Sequence, residues 1–227
     1  MFRHRGIKLS KSFLFTSGVL TIIATTLSLE QFYPNVPLRE ISLGIIFMYL
    51  LGQSVFSGAD LPTAAFNILA YLYVPWMLGY FILLRYYPDG NLGLITLSLP
   101  ILATFATDTG AYFVGRSLGR HKLAPTVSPN KTVEGSIGGV IAAFLTLTIY
   151  TWIIQGVFPF GHGELLIFSV LISLAAQLGD LTESMIKRYC GVKDSGEFLP
   201  GHGGILDRLD SLIFTIPLTY YLLVIFT

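Results

Sequence analysis

Long uninterrupted apolar runs decide what this chain can fold into. Seven of them stand at about 12–29, 39–57, 63–85, 92–114, 136–158, 164–186 and 211–227. Each is close to the ~20 residues that a helix needs to cross the ~30 Å hydrocarbon core of a bilayer. Mean hydropathy is +0.69 and only 12% of the 227 residues are charged, too little polar surface for a water-soluble globule. A membrane-spanning backbone must satisfy its own hydrogen bonds, and the runs are continuous rather than alternating at period two, which excludes barrel strands. The expected fold is all-α, a polytopic transmembrane bundle of about seven spans. The fourth span is expected to be the least regular, because Thr107, Asp108 and Thr109 interrupt it.

Charge placement orients the bundle. With a cytoplasmic N-terminus, the inner segments are 1–11, 58–62, 115–135 and 187–210, and they hold 12 of the 14 Lys and Arg residues. Only Arg39 and Arg85 fall on the other side, as the positive-inside rule requires. The chain divides into N-terminal transmembrane helices over 1–100 and a region with room for chemistry over 101–227. The latter carries the cytoplasmic loops 115–135 and 187–210.

Several classes drop out. A net charge of +1 gives no reason to expect nucleic acid as a partner. The lone Cys190 cannot close an intrachain disulfide, and no Cys/His cluster has zinc spacing. Residues 1–29 have the basic head and apolar run of a signal peptide, but no small-residue cleavage site follows, so they read as a retained first span.

The polar residues are concentrated. Between the last two spans runs SMIKRYCGVKDSGEFLPGHGGILDRLDS, residues 184–211, which mixes Lys187, Arg188 and Arg208 with Asp207, Asp210 and a Gly-His-Gly-Gly turn around His202. Cations recruit phosphate, carboxylates recruit a hard divalent metal, and glycines let backbone N–H groups approach an anion. Asp180, Glu183, Ser184 and Lys187 recur at helical spacing at the end of the sixth span, so they must face the bundle interior or a wet cavity. Asp207 and Asp210 lie one turn apart at the start of the seventh span, where the helix dipole also favours acidic groups. Carboxylates from two helices make better metal ligands than two neighbours on one, which selects Asp180 and Asp207 as the metal pair. Asp108 sits within an apolar run, where a carboxylate is retained only if it is paired or used. On a helix it shares a face with Tyr112 and Gly115. In the segment from Ser128 to Gly139, Pro129 disfavours a helical Ser128. Asn130, Lys131 and Thr132 then stand at the start of the fifth span, as phosphate-binding donors or simply as a capped helix start.

The pattern KRYCGVKDSGEFLPGHGGILDRLDS resembles the diagnostic tail of the phosphatidate cytidylyltransferase (CDP-diacylglycerol synthase) family. DTGAYFVGRSLGRHKL, SPNKTVEG and QLGDLTESMIKR resemble that family in the same order, so the likeness covers about residues 104–227. The family often has lysine where Asn130 stands, and its members often carry additional N-terminal spans, which implies a short member or one whose start is truncated.

The resemblance implies CMP transfer from CTP to phosphatidic acid, yielding CDP-diacylglycerol and pyrophosphate. It implies magnesium, with a second, monovalent cation as a further candidate, and a homodimer. The expected location is a bacterial inner membrane with the site facing the cytoplasm. Asp180 and Asp207 would hold the metal, supported by Asp210 and Glu183. Lys131, Lys187, Arg188 and Arg208 would bind phosphate oxygens, with Asp108, Ser128, Asn130, Thr132 and His202 at the substrates. A related nucleotidyltransferase for another lipid phosphate and an ion- or proton-coupled transporter remain the alternatives.

Overall fold

The computed structural model describes residues 11–29, 36–58, 61–88, 90–154, 160–196 and 204–226. Its helices are α1 (Lys11–Leu27), α2 (Leu38–Ser57), α3 (Leu61–Tyr71), α4 (Tyr80–Tyr86), α5 (Gly93–Leu118), α6 (Val133–Ile153), α7 (His162–Tyr189) and α8 (Leu206–Phe226). Six stretches are long and apolar enough to cross a membrane: α2, the combined stretch Leu61–Tyr86, α5, α6, α7 and α8. The remaining apolar helix, α1, is shorter at 17 residues. The all-helical bundle is therefore as expected.

Two details differ from the sequence reading. The fourth span, α5, is one continuous helix through Asp108. Thr107 donates its hydroxyl back to Ala103 O at 2.8 Å and lies 3.0 Å from the Ser173 hydroxyl, so its hydroxyl is satisfied inside a continuous helix. The irregular span is the third. Between α3 and α4 a wide π-helical turn, Leu72–Trp76, contains Pro75. Proline lacks an N–H and clashes with the preceding turn, and the wider turn accommodates it.

The core lies among α4 to α8, where Leu84, Leu99, Ala103, Leu147, Phe168, Ile172, Ile216 and Leu223 are buried. Outward faces carry Phe105, Ile141, Leu145, Ile149 and Trp152, all exposed, as an apolar surrounding permits. Between helices in lipid there is no hydrophobic drive, so close packing of small residues must hold them together. The α5–α6 pair shows this. A Cβ on Gly110 would lie 2.5 Å from Ala142 Cβ, and one on Gly138 would lie 2.5 Å from Val114 Cβ. Gly138→Val should therefore cost about 1–3 kcal/mol and lower the melting temperature in detergent. Gly44→Ala, with open space around its position, should leave it unchanged. A Gly138→Val protein that melts with the parent would contradict this packing.

Candidate active site

The polar centre forms where α5, α6, α7 and α8 meet at one end of the bundle. The segment between α5 and α6, expected as loop, folds into a short antiparallel hairpin of β1 (Lys122–Ala124) and β2 (Ser128–Thr132). Glu134 ties its base down, accepting from Arg120 N at 3.0 Å and His121 N at 3.2 Å and lying 2.6 Å from His121 Nδ1. Ser128, before Pro129, is extended as expected. Thr132 caps α6, accepting from Gly135 N at 3.1 Å. The capped-start reading of this segment is thus present in the structure, alongside whatever the same residues do for a ligand.

The hairpin lays Asn130, Lys131 and Thr132 over a cavity of about 470 Å³. Asp108, Tyr112, Gly115 and Arg116 line it from α5, Gly135 and Ser136 from α6, and Gln177 and Asp180 from α7. Lys131 Nζ reaches Asp180 Oδ2 at 2.6 Å, and the Ser184 hydroxyl donates to Asp180 Oδ1 at 3.3 Å. Asp180 is one-third exposed, so this pair is open to exchange with a ligand.

A second cluster joins α7 to α8. Lys187 Nζ lies 2.5 Å from Glu183 Oε2 and 2.7 Å from Asp207 Oδ1. Glu183 is fully buried, so it cannot touch substrate as the helices lie. Asp207 is saturated with donors: besides Lys187 it accepts from Ser195 N at 3.0 Å, Ser195 Oγ at 2.6 Å and Gly204 N at 2.8 Å. Only glycine fits at position 204, because a Cβ there would meet Gly196 N at 2.8 Å and Asp207 Oδ2 at 3.0 Å. At Gly179 an added Cβ would lie 2.5 Å from Asp210 O, so the missing side chain lets α8 close against α7 beside Asp180. Asp210 accepts from Ser211 N at 2.6 Å. Arg188 Nε donates to Val127 O at 3.4 Å, tying the end of α7 to the hairpin turn. Arg208 is exposed at the start of α8.

The predicted residues thus fall into two adjoining groups. Asp108, Asn130, Lys131, Thr132 and Asp180 line one cavity, whereas Glu183, Lys187 and Asp207 form the junction of α7 and α8. His202 lies outside the described residues. Sequence reasoning did not single out Ser195, whose hydroxyl and N–H both serve Asp207, or Gln177, whose Nε2 lies 3.3 Å from Ser136 O and 3.3 Å from the Ser173 hydroxyl at the cavity wall. Gln177 carried a signal, since it falls one turn before Asp180 in a polar stripe; Ser195 carried none.

The electrostatics suit a cation. Asp108, Asp180 and Asp210, from three helices, act on one another through their charges, with Lys131 also in range of Asp108. Three carboxylates from three helices, with Lys131 and Lys187 in range, gather in a low-dielectric setting, an arrangement that a cation bound by hard oxygens would suit. As they lie, no three acidic or His/Cys side chains among the described residues stand close enough to ligate one ion. Asp207 would have to release one of its donors to serve as a ligand.

These features meet on a chain whose residues 1–226 match the family model described as the cytidylyltransferase family. The chain belongs to the cytidylyltransferase family. It is 46% identical over 162 residues to a Bacillus subtilis protein named phosphatidate cytidylyltransferase, covering 71% of this chain and 59% of that one. A Staphylococcus haemolyticus protein of the same name is 39% identical over 214 residues, covering 93% and 78%. One from Staphylococcus saprophyticus is 43% identical over 175 residues, covering 77% and 64%. The chain therefore spans less than two thirds of the Bacillus and Staphylococcus saprophyticus relatives. The two groups differ in access: an open cavity with a lysine–carboxylate pair, and a closed junction that fixes the carboxylate-bearing helices beside it.

Proposed function

We propose that this integral membrane protein transfers CMP from CTP to phosphatidic acid, giving CDP-diacylglycerol and pyrophosphate. The observation that carries this reading is the cavity in which Lys131, Asn130, Thr132, Asp108 and Asp180 converge, at the mouth of an apolar bundle. The site would face the cytoplasm of a bacterial inner membrane, in keeping with the segregation of Lys and Arg residues.

In this reaction a phosphate oxygen of the lipid forms a bond to the α-phosphorus of CTP. The bond from that phosphorus to the bridging oxygen of the β-phosphate breaks, and its electron pair leaves with pyrophosphate. A phosphomonoester has a second pKa of about 6, so the attacking group is largely ionised near neutrality and needs no general base. The obstacle is bringing two polyanions together, which is met by fixed positive charge. Lys131 exchanges Asp180 for a phosphate oxygen, Arg116 adds charge at the cavity wall, and Arg188, beside the hairpin turn, and Arg208 are further phosphate-binding cations in this reading. Tyr112 and Leu123 give the cavity wall an apolar part suited to the lipid.

Asp180 and Asp207 are the proposed holders of magnesium, supported by Asp210 and Glu183; when bound, the ion would offset phosphate charge. The carboxylates of Asp108, Asp180 and Asp210, brought together from three helices, support a cation beside Asp180, and Asp207 would join it by releasing a donor at the α7–α8 junction. Turnover of CTP by the purified protein, across several lipid phosphates and with or without magnesium, tests the proposal. The expected result is product formation with phosphatidate and loss of it on chelation. Equal turnover with lipids lacking a phosphomonoester would remove the assignment.

A further inference from the structure

A second polar site lies at the other end of the bundle. Arg39, in the first turn of α2, is only 3% exposed. Its guanidinium is held between two rings, 3.7 Å from the centroid of Trp76 and 3.9 Å from that of Tyr80. Of its five N–H groups, Nη2 donates to Trp76 O at 3.3 Å, while Nε has no hydrogen-bond partner among the described residues. Glu40 approaches only Nη1, at 3.8 Å, and is itself 61% exposed. A buried charge in an apolar bundle is retained only where it is compensated or used, and this one is short of acceptors among the described residues.

Arg39 borders a cavity of about 410 Å³ with Ser28, Val36, Pro37, Glu40, Leu83, Tyr220 and Tyr221. Tyr220 follows Asp207 by roughly 20 Å along α8, so this cavity is remote from the catalytic one. Its mixed lining matches a group with an anionic head and an apolar body: Leu83 and Val36 supply apolar surface, the guanidinium and tyrosines polar groups. Beyond Arg39 on α2, Ile41 and Ile45 are also exposed.

We infer that this cavity holds the phosphate of a net-anionic membrane lipid, with Arg39 as its cationic partner and the Trp76 and Tyr80 rings fixing the guanidinium. The ligand is recognised as a phosphate oxyanion, and the apolar rim assigns it to a lipid headgroup rather than to a free ion. Glu40 opposes the same anion.

Trp76 supplies the probe, because the chain has only two tryptophans and Trp152→Phe leaves it alone. The full chain is reconstituted in phosphatidylcholine bilayers with increasing phosphatidylglycerol brominated near the headgroup, and quenching of Trp76 gives the binding of the anionic lipid relative to the zwitterionic one. Phosphatidylglycerol carries no phosphomonoester, so its binding is independent of the proposed reaction. The expected preference is roughly fivefold, falling to near one in Arg39→Gln. Glu40→Gln changes an exposed residue and should raise the preference, which keeps the test decisive if Arg39→Gln does not fold. A preference of one in the parent protein, no rise in Glu40→Gln, or a Trp76 response to inorganic phosphate without any lipid preference would each overturn the inference.

Discussion

Replacing Asp180 by Asn is expected to lower CMP transfer by about 100- to 1000-fold while leaving the protein folded. The magnitude follows from removing one charged group at a site that offsets phosphate charge in a water-poor setting. Folding should survive because Asp180 is one-third exposed, the amide oxygen still accepts from Lys131, and the amide N–H can donate to the Ser184 hydroxyl. Asp207→Asn should lower transfer to a similar extent, since it alters the other proposed ligand. One oxygen remains for the Ser195 and Gly204 N–H groups, while the amide NH2 replaces the oxygen that faces Lys187, so some loss of stability accompanies it. Both variants are read by product formation together with melting in detergent. Near-normal turnover in either one would remove that residue from the proposed metal pair.

The second large effect concerns stability. Lys187→Met leaves Glu183 fully buried without its cation and takes a donor from Asp207. Breaking a buried pair in this way costs about 3–5 kcal/mol, whereas removing both charges is often close to neutral. Lys187→Met should therefore melt far below the parent, and Lys187→Met with Glu183→Gln should recover most of the loss. If Lys187 served only to bind phosphate, the single variant would lose activity without losing stability, and the double variant would recover nothing. The measurement is thermal unfolding of both proteins in the same detergent.

The bundle was legible in the sequence because spanning length and continuous apolar character are one-dimensional properties. The hairpin was not, because Ser128–Thr132 is polar and lacks the alternation that marks a strand; its pairing with Lys122–Ala124 is set by the ends of α5 and α6. The break in the third span had a visible cause in Pro75, whereas the polar triplet at Thr107–Thr109 gave a false sign of irregularity, since hydroxyls inside a helix can bond to the preceding turn. At the site, spacing showed that Glu183 and Lys187 share a helix face. It could not show that Lys187 also reaches Asp207 across to α8, or that Lys131 reaches Asp180 from the hairpin. Pairings across long sequence separations depend on how closely helices approach, here through Gly179 against Asp210. The stripe from Asp180 to Lys187 thus divides by exposure: Asp180 opens on the cavity and Glu183 is fully buried at the α7–α8 junction.

The most direct measurement follows the two ends of the nucleotide. Purified protein is given phosphatidate, magnesium and CTP radiolabelled at either the α- or the γ-phosphorus. Cytidylyl transfer places the α label in the lipid product and an equal amount of the γ label in pyrophosphate, with both signals lost in Lys131→Met. Label from the γ position in the lipid, or release of phosphate with no labelled lipid, would contradict the assignment of this cavity to CMP transfer.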